Sequence, residues 1–178
     1  MSLDYVSAIG KFFPTIGVEC IGDPNNFWNI VWISGDAMPT IFEVDEKIFE
    51  DTKKNKIIEL SNFCENDIIS GFTSDALGYS CIYDSEQVDQ LNITGVLTMI
   101  SPTPAAPMGY GSPYAVRPII DGVIQPKEYI NHTYFQLRKA LTDGGMYKLT
   151  KLQQFNYKRD LVNASKTVSE IELITWNS

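Results

Sequence analysis

The stretch from Gly71 to Asn92, GFTSDALGYSCIYDSEQVDQLN, constrains the fold more than any other part of the chain. Two short runs, Gly71-Phe72-Thr73-Ser74 and Tyr79-Ser80-Cys81-Ile82-Tyr83, carry aromatic and β-branched residues that suit a pleated surface. Between them, Asp75-Ala76-Leu77-Gly78 has turn chemistry, because Asp can bond its own backbone and Gly accepts positive φ. This predicts a β-hairpin. Asp84 then stands where a helix N-cap belongs, and Gln87 three residues on completes a capping box. Val88, Leu91, Ile93, Val96, Leu97 and Ile100 follow at roughly helical spacing, so one face of that helix is expected to be apolar.

Upstream, Leu3, Tyr5, Val6, Ile9, Phe12 and Phe13 predict a short amphipathic helix over Ser2 to Phe13, with Ser2 available as its cap and Pro14 as its stop. Ile16–Ile21 and Phe27–Ile33 read as two strands around the turn cluster Gly22-Asp23-Pro24-Asn25-Asn26. Phe27, Trp28 and Trp32 on that hairpin need a surface to cover them, which makes them candidate interface residues. Thr40 and Glu43 form a second capping box, opening a helix through Val44, Ile48 and Phe49. Lys53, Lys54 and Lys56 are expected at its C-terminal end, where positive charge suits the helix dipole. Ile57–Leu60 and Phe63 are expected as a connecting strand or linker. The division is therefore a docking domain over 1–56, a linker over 57–68 and a second domain over 69–178.

Residues 101–118 hold Pro102, Pro104, Pro107, Pro113 and Pro118 with Gly109 and Gly111, a composition that rejects helix and favours an extended loop. Met108, Tyr110 and Tyr114 in this insert are further candidate interface residues; the alternative is a loop lying flat over its own domain. Asp121-Gly122 between Val116–Ile120 and Val123–Gln125 predicts a hairpin over 116–125 with a type I′ turn. Thr133 with Gln136 and Thr167 with Glu170 are two more capping boxes. Gly144-Gly145 is expected to break the helix that Thr133 opens, so that Leu137/Leu141 and Leu149/Leu152 pair as an antiparallel αα-hairpin. The fold class is thus α+β: a small N-terminal hairpin with helices, then a hairpin and helix unit closing on the αα-hairpin.

The motifs resemble a known but uncharacterised domain. GFTSDALG, then YDS and DQLN, then His132-Thr133-Tyr134-Phe135-Gln136-Leu137 and Ile174-Thr175-Trp176, are similar to a domain near the C-termini of many bacteriophage tail proteins. The resemblance covers about Ile69 to Trp176; the Pro-rich segment and the hairpin after it look like an enlarged insert. A Trp-bearing strand before Pro39-Thr40-x-x-Glu43 is similar, over few residues, to the small domain of tail-fibre assembly-type proteins. The resemblance implies a virion tail protein, a baseplate or tail-fibre component that docks other tail proteins and forms homo-oligomers, with a trimer favoured. A tail-fibre assembly chaperone absent from the mature virion is the alternative, and a small glycan-degrading tail enzyme a further one.

Chemistry and charge agree with a docking role. The net charge of −8 does not suit phosphate neutralisation, so neither nucleic acid nor an anionic membrane is an expected partner. No run approaches the roughly 18 apolar residues of a membrane span, and Met1-Ser2-Leu3-Asp4 does not open like a signal peptide, so synthesis in a host cytoplasm is expected. Cys20, Cys64 and Cys81 have no disulfide or zinc spacing and are expected as small, mostly buried thiols. His132 has no paired ligand or serine elbow and is expected to be structural or solvent-facing. Asp84, Glu86 and Asp89 cluster at a helix start, where the dipole accounts for them. No catalytic residue, cofactor or metal is expected.

Overall fold

Among the described residues, each of the five α-helices begins at a side chain that accepts an amide N–H the helix cannot satisfy itself. The computed structural model describes residues 3–100 and 111–177. In α1 (Tyr5–Phe12), Asp4 Oδ1 accepts the Ser7 N–H at 2.8 Å, so the cap is Asp4; Ser2 lies outside the described residues. In α2 (Ile41–Ile69), Glu43 Oε2 accepts the Thr40 N–H at 2.8 Å while Thr40 Oγ1 accepts the Glu43 N–H at 3.3 Å. Gln136 and Thr133 exchange the same pair of bonds at the start of α4 (Tyr134–Ala164), at 2.8 and 3.3 Å. Thr167 Oγ1 accepts the Glu170 N–H before α5 (Val168–Glu172), but Glu170 Oε2 takes the Lys166 N–H. The expected cap at Asp84 is corrected: α3 (Gln87–Met99) is capped by Glu86, boxed with Asp89. Asp84 is drawn away by Arg117 and Lys127, the latter at 2.6 Å.

Two helices run further than expected. No Pro or Gly interrupts Ile41 to Ile69, so α2 continues through Lys53–Lys56 and through 57–68, which are helix interior and neither a helix end nor a strand. It stops where Gly71 adopts φ +104, beside the Tyr83 carbonyl. Similarly, α4 passes through Gly144-Gly145 without a break, and the expected αα-hairpin is one continuous helix. A Cβ on Gly144 would sit 2.7 Å from the Phe72 ring, so this glycine lets the aromatic pack directly against the helix backbone.

The chain forms two compact units, one of residues 1–61 with 157–178 and the other of residues 62–156. In the first, β1 (Gly17–Cys20) and β2 (Ile30–Ser34) pair antiparallel, with Val18 opposite Trp32 and Cys20 opposite Ile30. The segment Phe27–Asn29, expected as strand, is a 3-10 turn because Asn26 accepts the Trp28 N–H and folds the chain back. Ala8, Ile9, Ile16, Phe27, Ile30, Val44 and Ile48 make this core.

In the second unit, β3 (Phe72–Ser74) and β4 (Cys81–Tyr83) form the expected hairpin, closed by the Gly78 N–H on the Asp75 carbonyl at 2.8 Å. Ser112 to Ile120 is strand β5, a correction to the loop expected over 101–118 as far as that segment is described. Its prolines are tolerated because Pro113 pairs only with Asn131, and Pro118 offers its carbonyl to the Gln125 N–H. Asp121 and Gly122, at φ 49 and 78, turn the chain into β6 (Val123–Ile124) as expected. Strand β7 (Glu128–His132), which the sequence reading did not identify, also pairs with β5. The inward residues Phe72, Cys81, Tyr83, Tyr114 and Val116 pack on Ile93 and Leu97 of α3 and on Leu137 and Ala140 of α4. Val88 and Leu91, expected on the apolar face of α3, are exposed.

Gly144→Ala is expected to destabilise the protein by about 1 kcal/mol or more, because overpacking against Phe72 outweighs the helix propensity gained. Gly145→Ala, with nothing within 4 Å of the added methyl, is expected to stabilise it by up to about 1 kcal/mol. Urea unfolding of both variants checks the opposite signs.

Candidate functional site

A two-stranded sheet can bury only what its neighbours cover, and in the first unit β2 is largely uncovered. The turn before it is held by the Asn25 N–H on Asp23 Oδ1 at 2.9 Å and by Asn29 Nδ2 on the Asp23 carbonyl at 3.2 Å. This geometry sends consecutive aromatics opposite ways. Phe27 turns into the core, edge-on to Tyr5 at 5.4 Å, whereas Trp28 is 80% exposed. Along β2, Ile30 is buried, but Val31, Trp32 and Ile33 are 43, 48 and 56% exposed. Trp32 is held in place by its Nε1–H on the Asp36 carbonyl at 2.9 Å. Ile21, whose N–H bonds the Asn29 carbonyl, adds another exposed apolar side chain.

Of the six expected interface residues, then, Trp28 and Trp32 lie on the surface. Phe27 is buried, and so is Tyr114, which sits inside the sheet of the second unit with its hydroxyl on the Asp89 carbonyl at 3.0 Å. Met108 and Tyr110 lie outside the described residues. Sequence reading passed over Ile21, Val31 and Ile33; the signal for the last two was a continuous apolar strand in a hairpin with too few partners to cover both faces.

The second unit holds a buried cluster of aromatic rings around His132. Tyr83 stacks on Phe72 at 5.5 Å and on Tyr114 at 6.3 Å, with the His132 ring edge-on at 5.7 Å. The Ile130 carbonyl can only accept, so His132 Nδ1 carries the proton and donates to it at 2.7 Å. Nε2 is then the acceptor, and the Tyr83 hydroxyl donates to it at 2.8 Å. His132 is fully buried with both ring nitrogens engaged, which excludes the solvent-facing alternative. Burial pushes the His132 pKa below its ordinary value against the opposing pull of the Ile130 carbonyl, and burial raises Tyr114 to about 12. Burial likewise raises the thiols of Cys64 and Cys81. A hollow beside this cluster, lined by Phe72, Tyr83, Ile93 and Tyr114, measures about 90 Å³. That is well below the roughly 300 Å³ at which a cleft encloses a small ligand.

The three carboxylates at the start of α3 are occupied differently from one another. Burial raises the Asp84 pKa, but the hydrogen bond and charge of Lys127 with the charge of Arg117 outweigh it, and the net shift is downward. Glu86 and Asp89 are spent on the helix cap. Among the described residues no group of three His, Cys, Asp or Glu side chains is placed to hold a metal ion, and no helix is long and apolar enough to cross a membrane. The chain matches no family model, no curated protein and no solved structure.

Tyr83→Phe leaves His132 Nε2 buried without a donor and is expected to cost about 1–3 kcal/mol in urea unfolding. The lowered His132 pKa carries a sign: below about pH 6.5 the unfolded chain binds the proton first. The His132 contribution to stability is therefore expected to be largest above that pH and to decline below it. The same titration on His132→Gln should show a flatter profile there.

Proposed function

We propose that this chain is a non-enzymatic structural protein of a bacteriophage tail, a baseplate or tail-fibre component that docks other tail proteins through the β2 face of its N-terminal unit. One observation carries the reading: Trp28 and the run Val31-Trp32-Ile33 are exposed on a folded, hydrogen-bonded scaffold. Large aromatic side chains held rigidly at a surface are the residues that most often dominate protein–protein binding energy. The resemblance of Gly71–Asn92, His132–Leu137 and Ile174–Trp176 to the phage-tail domain supplies the context. The engaged state of His132 and of the α3 carboxylates supports a role in which no side chain needs to be held ready for reaction.

A tail-fibre assembly chaperone is the competing reading, favoured by the Thr40–Glu43 box that opens α2 and by the same apolar surface, which would hold a client during folding. Location separates the two. Quantitative mass spectrometry of purified virions is expected to find the chain at fixed copy number; its absence would favour the chaperone. Trp28→Ala should change stability by no more than about 0.5 kcal/mol and weaken docking by about 2 kcal/mol or more. Incorporation of this variant into virions, set beside its thermal unfolding, checks the pair of expectations.

A further inference from the structure

We infer that the hollow beside α4 is a binding site for a small uncharged molecule, a single apolar ring bearing one hydrogen-bonding group. The hollow lies wholly within the second unit, and the inference does not depend on the docking reading. Its walls are rings: Phe72, Tyr83 and Tyr114 line it together with Ile93. Both tyrosine hydroxyls are spent elsewhere, on His132 Nε2 and on the Asp89 carbonyl, so these walls offer carbon to an occupant. An enclosed apolar cavity of roughly 150 Å³ holds a whole benzene. At about 90 Å³ this hollow is smaller. It opens past Gly145, which is exposed, so a ring enters edge first and keeps its rim in solvent.

Gly145 is a glycine that the fold itself does not require. Gly144 is required, because a Cβ there would meet the Phe72 ring at 2.7 Å. A Cβ on Gly145 would meet nothing within 4 Å, and a glycine inside a helix is destabilising relative to alanine. Leu141, Gly145 and Lys148 stand at i, i+4 and i+7, on one face of α4, and all three border the hollow. A side chain at position 145 would therefore stand in the mouth. Glycine there leaves the helix backbone open to close approach by a ligand.

Ser85 is an independent sign of a ligand. It lines the same hollow and is only 7% exposed. Its carbonyl accepts the Gln90 Nε2–H at 2.9 Å, but among the described residues its hydroxyl has no hydrogen-bond partner. Buried hydroxyls are nearly always bonded, because leaving one unpaired costs free energy. The polar group of the ligand supplies the missing bond, and a hydroxyl can either give or take it. Charge then selects a neutral molecule. Asp84 and Asp89 border the hollow and oppose an anion, whereas Lys148 opposes a cation.

Phenol titrated against the full chain, followed by amide NMR shifts, tests this. Saturable shifts are expected at Ser85, Ile93, Gly144 and Gly145. Ser85→Ala should weaken phenol about tenfold, the equivalent of one hydrogen bond, and leave benzene binding unchanged. Gly145→Leu should abolish binding of both probes; if that variant folds poorly, Gly145→Ala narrows the same mouth and should weaken both. Benzoate and benzylammonium should not bind. N-acetyltyrosinamide carries the phenol ring on a peptide, and should bind more weakly than phenol because Leu141 and Lys148 flank the mouth. Tighter binding of that peptide would give the hollow to a side chain of a partner and overturn the inference. So would phenol that shows no saturable shift, benzoate that binds as well as phenol, or a phenol affinity that neither Ser85→Ala nor the Gly145 variants change. Virion composition judges the docking reading separately, because it does not bear on this hollow.

Discussion

The bond from the Tyr83 hydroxyl to His132 Nε2 is the contact on which the second unit depends. It joins the last residue of β4 to the last residue of β7, and the His132 Nδ1–H on the Ile130 carbonyl fixes the ring that receives it. Both ring nitrogens are satisfied, so the imidazole can be fully buried without an orphaned polar atom. His132 also stands one residue before Thr133, which caps α4. The orientation of this ring is therefore shared between the end of the sheet and the start of the longest helix. Phe72, Tyr83 and Tyr114 stack beside it, and Gly144 admits Phe72 to the helix backbone. The polar bond specifies which rings meet, while the apolar area they bury supplies most of the driving force.

The first unit follows a different logic. Its core takes one face of α1, Phe27, Ile30 and the start of α2, and among the described residues Val31, Trp32 and Ile33 of β2 stay exposed. An aromatic strand in a two-stranded sheet is hard to keep solvated unless something else covers it, because an isolated hairpin is marginal in water. The Trp32 Nε1 bond to the Asp36 carbonyl and the Asn26 cap hold the exposed rings in place without burying them. Order without burial costs conformational entropy in the free chain and lowers the cost of binding later. That is what would suit this surface to the docking proposed for it.

Signals that act within a few residues were legible in the chain. Thr40 with Glu43, Thr133 with Gln136, the Asp75–Gly78 turn and the Asp121-Gly122 turn each stand where their own chemistry puts them. The failures share a cause. Asp84 looked like a cap until Arg117 and Lys127, remote in sequence, claimed its carboxylate. Gly144-Gly145 looked like a break until Phe72 filled the space a side chain would have occupied. Pro113 and Pro118 argued for loop, yet each sits in β5 at a position where its missing N–H is not needed. Of the candidate surface, Trp28 and Trp32 were legible from hydrophobic content alone. The burial of Phe27 beside them depends on the direction in which the 3-10 turn releases each ring.

By itself the sequence determined the α+β class, the starts of α2, α4 and α5 and the tight turns, because a cap or a positive-φ glycine competes only with its immediate neighbours. Tertiary structure alone decided how far α2 and α4 run, that β7 joins β5, and that Tyr83 meets His132 across 49 residues. Those outcomes depend on which distant group reaches a vacant donor, acceptor or cavity first. No local pattern records that competition, since its energy appears only once the two segments are packed together.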